Sequence, residues 1–255
     1  MENFSALNAL GTTEKSRFLG RTYGWMSVAL LASAISAFLT VVVSLTPQGL
    51  AHFFANTKFV VGDVSSFGMF LFRMGMWIFI IAELAIVFFL SAKIRSMSHS
   101  TAKLLFFVYS ILNGISLSSI FIVYKLGSVA TIFLGAAAMF GLMSWWGAKT
   151  DRDLSSIGRY CTMGLVGLVV ASVLQVVLSL IFKTTFGAFD FLISLAGIAI
   201  FTGLTAYDTQ KLVRLAENSN GSEDFAKVSI IAALDLYLDF VNIFIYLLRL
   251  FGKRR

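Results

Sequence analysis

The sequence predicts an all-α polytopic membrane protein: seven transmembrane helices, the last of them central and surrounded by the other six. Three observations carry this. Of 255 residues, 58% are hydrophobic and only 13% charged, with a mean hydropathy of +0.87, whereas a soluble domain carries about 25% charged residues. A single proline, Pro47, leaves the apolar runs unbroken, so they read as helices rather than the alternating ten-residue segments of a transmembrane barrel. The last apolar run carries a polar stripe that only other helices can shelter from lipid.

The elements follow in order. Residues 1–22, within "MENFSALNALGTTEKSRFLGRTYGW", form a mixed, polar amino-terminal tail. It lacks the basic start, short apolar core and small-residue cleavage site of a signal peptide, so the first span is expected to act as its own insertion signal. Spanning takes roughly 20 apolar residues. Segments at about 25–45, 70–92, 104–124, 128–148, 161–182, 188–209 and 228–250 qualify. They make one membrane domain over 23–250, followed by a basic carboxyl end at 251–255. The lone Cys161 excludes an intrachain disulfide and a cysteine-based zinc site. His52 and His99 read as isolated surface histidines. "GAAAMFG" (135–141) and "GLVGLVVAS" (164–172) carry small residues at helix-packing spacing.

The distribution of Lys and Arg sets the expected orientation. Lys15, Arg17 and Arg21 precede span one, and Lys58 follows it, with Arg73 at the edge of that connection. Lys93, Arg95 and Lys103 follow span two, and only Lys125 follows span three. Lys149, Arg152 and Arg159 follow span four, and only Lys183 follows span five; Lys211, Arg214 and Lys227 follow span six. This alternation places the amino terminus in the cytoplasm. Seven full spans then put Arg249, Lys253, Arg254 and Arg255 outside, against the bias. Either the last helix crosses despite them or it re-enters; the earlier helices fix the orientation first, which favours crossing. The net charge of +7 reflects this topology and contact with anionic lipid, not nucleic-acid binding.

Four carboxylates fall inside apolar spans: Glu83, Asp208, Asp235 and Asp239. A charged one facing lipid costs about 2.5–3.5 kcal/mol on insertion scales, so all four are expected to face inward. Asp235, Asp239, Asn242, Tyr246 and Arg249 step by four, three, four and three, the spacing of one helical face. Span six shows a weaker stripe of Ser194, Gly197, Phe201, Thr205 and Asp208. Span three adds Asn113, Ser116 and Ser118, where small residues allow close approach and hydroxyls bond across helices. Carboxylates gathered this way titrate as a unit and make a proton switch, a cation site, or both. Carboxylate, amide and hydroxyl oxygens suit calcium, which takes six to eight of them, with water supplying several. The plainer reading is that the acids pair with Lys93, Arg95, Lys211 or Arg249 and hold helices together. Tyr246 and Arg249 fit interfacial anchors.

"GLTAYDTQKL" (203–212) followed by "ALDLYLDFVNIFIYLLRLFG" (233–252) resembles the paired signatures of the transmembrane Bax inhibitor motif family. "NGISLSSIF" on span three and Glu83 in span two agree. The resemblance spans all seven segments and is strongest over roughly the last 60 residues. It implies a seven-helix bundle with the last helix central, and a pH-sensitive calcium leak gated by an aspartate pair joining spans six and seven. The matching positions are Asp208 and Asp239, which the resemblance also implies as calcium contacts. A basic residue ending span two would latch the pair, here Arg95 or Lys93, and Glu83, Asn113 and Asn242 would line the path. Two features depart from the pattern: Asp235 stands where relatives carry an uncharged residue, and the connection before span seven is longer. At 1.5 Å per residue, Asp235 lies about 10 Å and Asp239 about 16 Å along span seven, so Asp235 rivals Asp239 as the partner of Asp208.

The expected function is therefore a calcium leak channel gated by protonation, not an enzyme, with calcium as permeant ion and no resident cofactor. The first alternative is a regulatory protein that binds and restrains another membrane protein, such as a membrane protease. A proton-coupled transporter is a weaker rival. So is an intramembrane aspartyl protease, since bulky "LYLDF" replaces the Gly-x-Gly-Asp context that such chemistry uses. A bacterial plasma membrane is the expected location, an internal eukaryotic membrane the second.

Overall fold

In hydrocarbon, each backbone N–H and C=O must find its partner within the segment or a closed barrel, and every apolar run here is accordingly helical. The computed structural model describes residues 2–60, 62–93, 97–184, 187–217 and 223–255; side-chain surroundings are described from residue 15 onward, except at 74, 76, 77, 91 and 223–226. The elements are α1 (Glu2–Ser44), α2 (Pro47–Phe54), α3 (Ser66–Phe70), a π-helical turn (Leu71–Gly75), α4 (Met76–Lys93), α5 (His99–Val123), α6 (Leu126–Lys149), α7 (Ser155–Phe182), α8 (Gly187–Glu217) and α9 (Glu223–Phe251). Among the described residues, six helices are long and apolar enough to span. The bent pair Ser66–Arg73 and Ile78–Leu90, at 49°, makes a seventh if taken as one span. The π turn breaks the regular hydrogen-bond ladder, which is where such a bend belongs.

The residues expected as a tail continue the first helix, because no proline interrupts them. From Phe18 the buried positions run Thr22, Met26, Ala29, Ser33, Ala37 and Val41, in steps of three and four that keep one face inward. The chain divides into two compact units. The first holds residues 1–129, 216–234 and 253–255. Within it α5 packs against α1 and α4. The α1 contact is close because Gly114 has no side chain: a Cβ there would meet Ser36 Oγ and the Ser33 carbonyl. Ser33 and Ser36 donate across this seam to the carbonyls of Ser110 (2.7 Å) and Ile111 (3.1 Å), satisfying hydroxyls that lipid could not.

The second unit holds residues 130–215 and 235–252. Gly147 of α6 lies against the backbone of Ala206 on α8, and Gly203 of α8 against Cys161 of α7. Gly158 and Gly197 make room for the rings of Tyr207 and Tyr246. Of the small-residue runs noted in the sequence, Ala136 and Gly164 pack, the latter on Ile200. Gly135, Gly141 and Gly167 meet nothing within 4 Å. α9 begins in the first unit and ends in the second. It is the most buried of the six spans, 61% of its apolar window lying inside against 39% or less elsewhere.

The first unit also holds contacts at both ends of the last helix. At one end, Lys15 Nζ pairs with Glu217 Oε1 at 2.9 Å, shortly before α9 begins. At the other, the Lys125 N–H donates to the Lys253 carbonyl and the Arg255 N–H to the Val123 carbonyl, both at 3.0 Å. The Arg255 guanidinium reaches the carbonyls of Tyr124 and Thr57, each at 3.2 Å, and lies over the rings of Phe53 and Phe59. α9 thus runs from the Lys15 end of α1 to the connections that follow α1 and α5. It crosses.

Candidate functional site

The polar stripe of α9 faces a cavity of about 800 Å³ in the second unit, walled by α7, α8 and α9. Asp235, Asp239, Asn242, Tyr246 and Arg249 all line it, as their helical spacing requires. α8 supplies Phe201, Leu204, Tyr207, Asp208 and Lys211, and α7 adds Thr162 and Ser172. The cavity therefore holds three carboxylates, two cations, an amide and several hydroxyls inside helices that are otherwise apolar.

The three acids are held differently. Asp235 is half-buried, with Lys211 Nζ 3.9 Å from its Oδ2. Asp239, one turn further along, is only 3% exposed, and its Oδ2 accepts no hydrogen bond. The buried Thr205 side chain of α8 is its polar neighbour. Asp208 is near enough to both for direct charge–charge interaction. The residues that rivalled one another as its partner thus stand together as a triad. Among the described residues no three His, Cys, Asp or Glu side chains are arranged to hold a metal ion. Asn242 donates to the Leu238 carbonyl of its own helix at 2.8 Å, which leaves its amide oxygen for the cavity.

Tyr246 stacks on Phe201, ring centroids 6.0 Å apart, and Arg249 lies 5.7 Å from the Tyr246 ring. Arg249 Nη1 is also 3.9 Å from Asp190 Oδ1. These two residues, which the sequence presented as interfacial anchors, therefore form one end of the cavity wall. The α8 stripe seen in the sequence turns toward α9: Ser194 is buried, Gly197 accommodates Tyr246, and Thr205 approaches Asp239. Gln210 fixes the start of α7, accepting from the Leu154 N–H at 2.9 Å and donating to the Arg152 carbonyl at 2.8 Å.

Glu83 and Asn113 belong to the first unit. Asn113 Nδ2 donates to Glu83 Oε2 at 3.0 Å, and Ser116 Oγ to Glu83 Oε1 at 2.5 Å. The polar residues of span three thus solvate the acid of span two, and Ser118 bonds within its own helix to the Ile115 carbonyl. Of the two latch candidates, Lys93 is exposed as the last residue of α4, and Arg95 lies outside the described residues. The cation placed at the acidic triad is Lys211.

Two sites escaped the sequence reading. His52 is not isolated: its Nδ1 lies 2.9 Å from Oδ2 of Asp63, which is wholly buried and also accepts from the Val60 N–H at 2.6 Å. The left-handed Gly62, at φ 98°, brings Asp63 back toward α2. No periodicity could show this, because the pair closes a loop. His99 is likewise no loop residue; it opens α5 and lines a second cavity.

The chain is similar over residues 15–255 to the family described as inhibitor of apoptosis-promoting Bax1. It is 39% identical over 240 residues to the inner membrane protein YbhL of Escherichia coli, covering 93% of this chain and 92% of that one. A Borreliella burgdorferi protein is 36% identical over 94% of each chain. A Rickettsia prowazekii protein is 36% identical over 94% of this chain and 90% of its own. With its helical spans and the paired aspartate motifs of the last two, the chain is an integral membrane protein of the Bax1 inhibitor family.

Proposed function

We propose that the protein is a proton-gated calcium leak, with Asp208, Asp239 and Asp235 as the gate and Asp208 and Asp239 as the ion contacts. One observation carries the reading: three carboxylates line a single intramembrane cavity, and the most buried of them, Asp239, has an oxygen without a hydrogen-bond donor. Like charges gathered on one cavity oppose one another's ionisation, so they share protons and titrate as a unit. Lys211 offsets the charge of Asp235, which leaves Asp208 and Asp239 as the pair that shares a proton. Proton loss adds negative charge, drives the pair apart and draws in water and a cation. Calcium is the cation of choice because the oxygens present are hard ligands, with water completing its shell. No bond-making chemistry is involved. By analogy with the E. coli relative, the location is a bacterial inner membrane, with the amino terminus cytoplasmic by the charge bias.

The test is calcium flux into liposomes containing the purified protein, scanned from pH 6 to 8. Asp208→Asn and Asp239→Asn are expected to abolish the pH dependence, and Asp235→Asn to change it little. Equal silence of all four proteins at every pH would end the conduction reading. Dominance of Asp235→Asn over Asp239→Asn would reassign the pair.

A further inference from the structure

A second cavity, of about 560 Å³, lies in the first unit. Arg21 and Trp25 of α1 form one wall and His99 and Lys103 of α5 the other; each pair is spaced by four residues, so both project from one helical face. Lys103 Nζ sits 5.0 Å from the centre of the Trp25 ring, and that ring meets Phe107 edge-on at 6.1 Å. The indole is thereby held between the Lys103 ammonium and the Phe107 ring. Arg21 and Lys103 pair with no carboxylate among the described residues. The first turn of α5, capped by Ser98, brings the positive end of a 25-residue helix to the same place.

Below these cations the wall becomes apolar. Gly24 and Val28 line the cavity, and Leu31 and Ile35, 62% and 59% exposed, continue the same stripe of α1 toward the bilayer interior. A concentrated positive charge, a fixed indole and a descending apolar track match a molecule with a phosphate at one end and a hydrocarbon chain at the other. Basic pockets between spanning helices hold anionic headgroups in this way, and Trp marks the interfacial depth.

We propose that this cavity is a binding site for an anionic glycerophospholipid. Arg21, Lys103 and His99 face its phosphate, Trp25 lies beside the glycerol, and one acyl chain lies along Val28, Leu31 and Ile35. The site is independent of ion conduction. It differs from general attraction of basic loops to a charged surface because its cations come from two helices that line one cavity.

Lipid binding to the purified full-length protein, by native mass spectrometry with phosphatidylglycerol and phosphatidylcholine, tests this. At about 1 kcal/mol per basic residue, the Arg21→Gln/Lys103→Gln double variant is expected to lose roughly thirtyfold in phosphatidylglycerol affinity, and Arg21→Lys to retain most of it. Lys149→Gln, at a lysine that also sits over a tryptophan ring (Trp145, 4.9 Å) but outside this cavity, is expected to bind as wild type. Thermal unfolding of each variant identifies one that has merely misfolded, and Arg21→Lys then carries the comparison. Unchanged affinity in the double variant overturns the site. So does equal loss in Lys149→Gln, or equal binding of phosphatidylcholine. Displacement of the lipid by equimolar inorganic phosphate overturns the lipid assignment in favour of a free phosphate.

Discussion

A buried carboxylate is defined by the donors around it, and Asp63 and Asp239 represent opposite cases. Asp239 has an oxygen that no donor reaches. Burial also opposes the charge of Asp63, but the Val60 N–H and the His52 ring outweigh it and hold the carboxyl below its ordinary value of 3.8. A depressed value means that the contribution of Asp63 to stability is nearly complete above about pH 5 and fades as acid titrates first the unfolded and then the native group. Asp63→Asn is therefore expected to lower the melting temperature of the detergent-solubilised protein at pH 6, with the deficit shrinking progressively below pH 3.8. A deficit that stays constant down to pH 3 would show that the loop depends on side-chain shape, not charge. In the sequence, Asp63 was one polar residue among several in a connection. The left-handed glycine and the donors that give it meaning arise only when the loop closes.

At the scale of helices, residue spacing was enough to find the site's faces. The α9 stripe reads directly from steps of three and four, and all five of its members reach the cavity. Spacing could not show which helices complete the wall: α7 contributes Thr162 and Ser172 from a run whose composition is nearly uniform. Nor could it tell which glycines serve packing. Gly135 and Gly147 share α6, yet a Cβ on Gly147 would strike the Ala206 backbone, while one on Gly135 meets nothing. Backbone cannot yield as a flexible side chain does, so Gly147→Ala is expected to destabilise by about 1–3 kcal/mol through overpacking. Gly135→Ala is expected to be neutral or slightly stabilising, since alanine favours a helix interior by about 1 kcal/mol over glycine. Thermal unfolding in one detergent measures both. Equal shifts would mean that α6 and α8 do not approach through Gly147.

Across the whole molecule, the charge pattern and the packing pull in different directions. Counting Lys and Arg places residue 15 in the cytoplasm but leaves four basic residues at the far end of a fully crossing α9. Two of those four are engaged. Arg255 gives its guanidinium to main-chain carbonyls and two phenylalanine rings, and Arg249 lies near Asp190. Such contacts reduce the gain from drawing the segment back through the membrane, since charged hydrogen bonds are worth about 1.5–3 kcal/mol. Sequence composition counts charges without their partners, so it left crossing and re-entry both open. Crossing makes a specific prediction about sidedness. In a Cys161→Ser background, a cysteine at Asn56 and one appended after Arg255 are expected to react with an impermeant maleimide added outside intact cells. A cysteine at Ser16 is expected to react only after the cells are opened. Labelling of the 16 and carboxyl-terminal positions from the same side would mean that α9 re-enters, and the contacts of Arg255 with the connections after α1 and α5 would then not exist in the membrane.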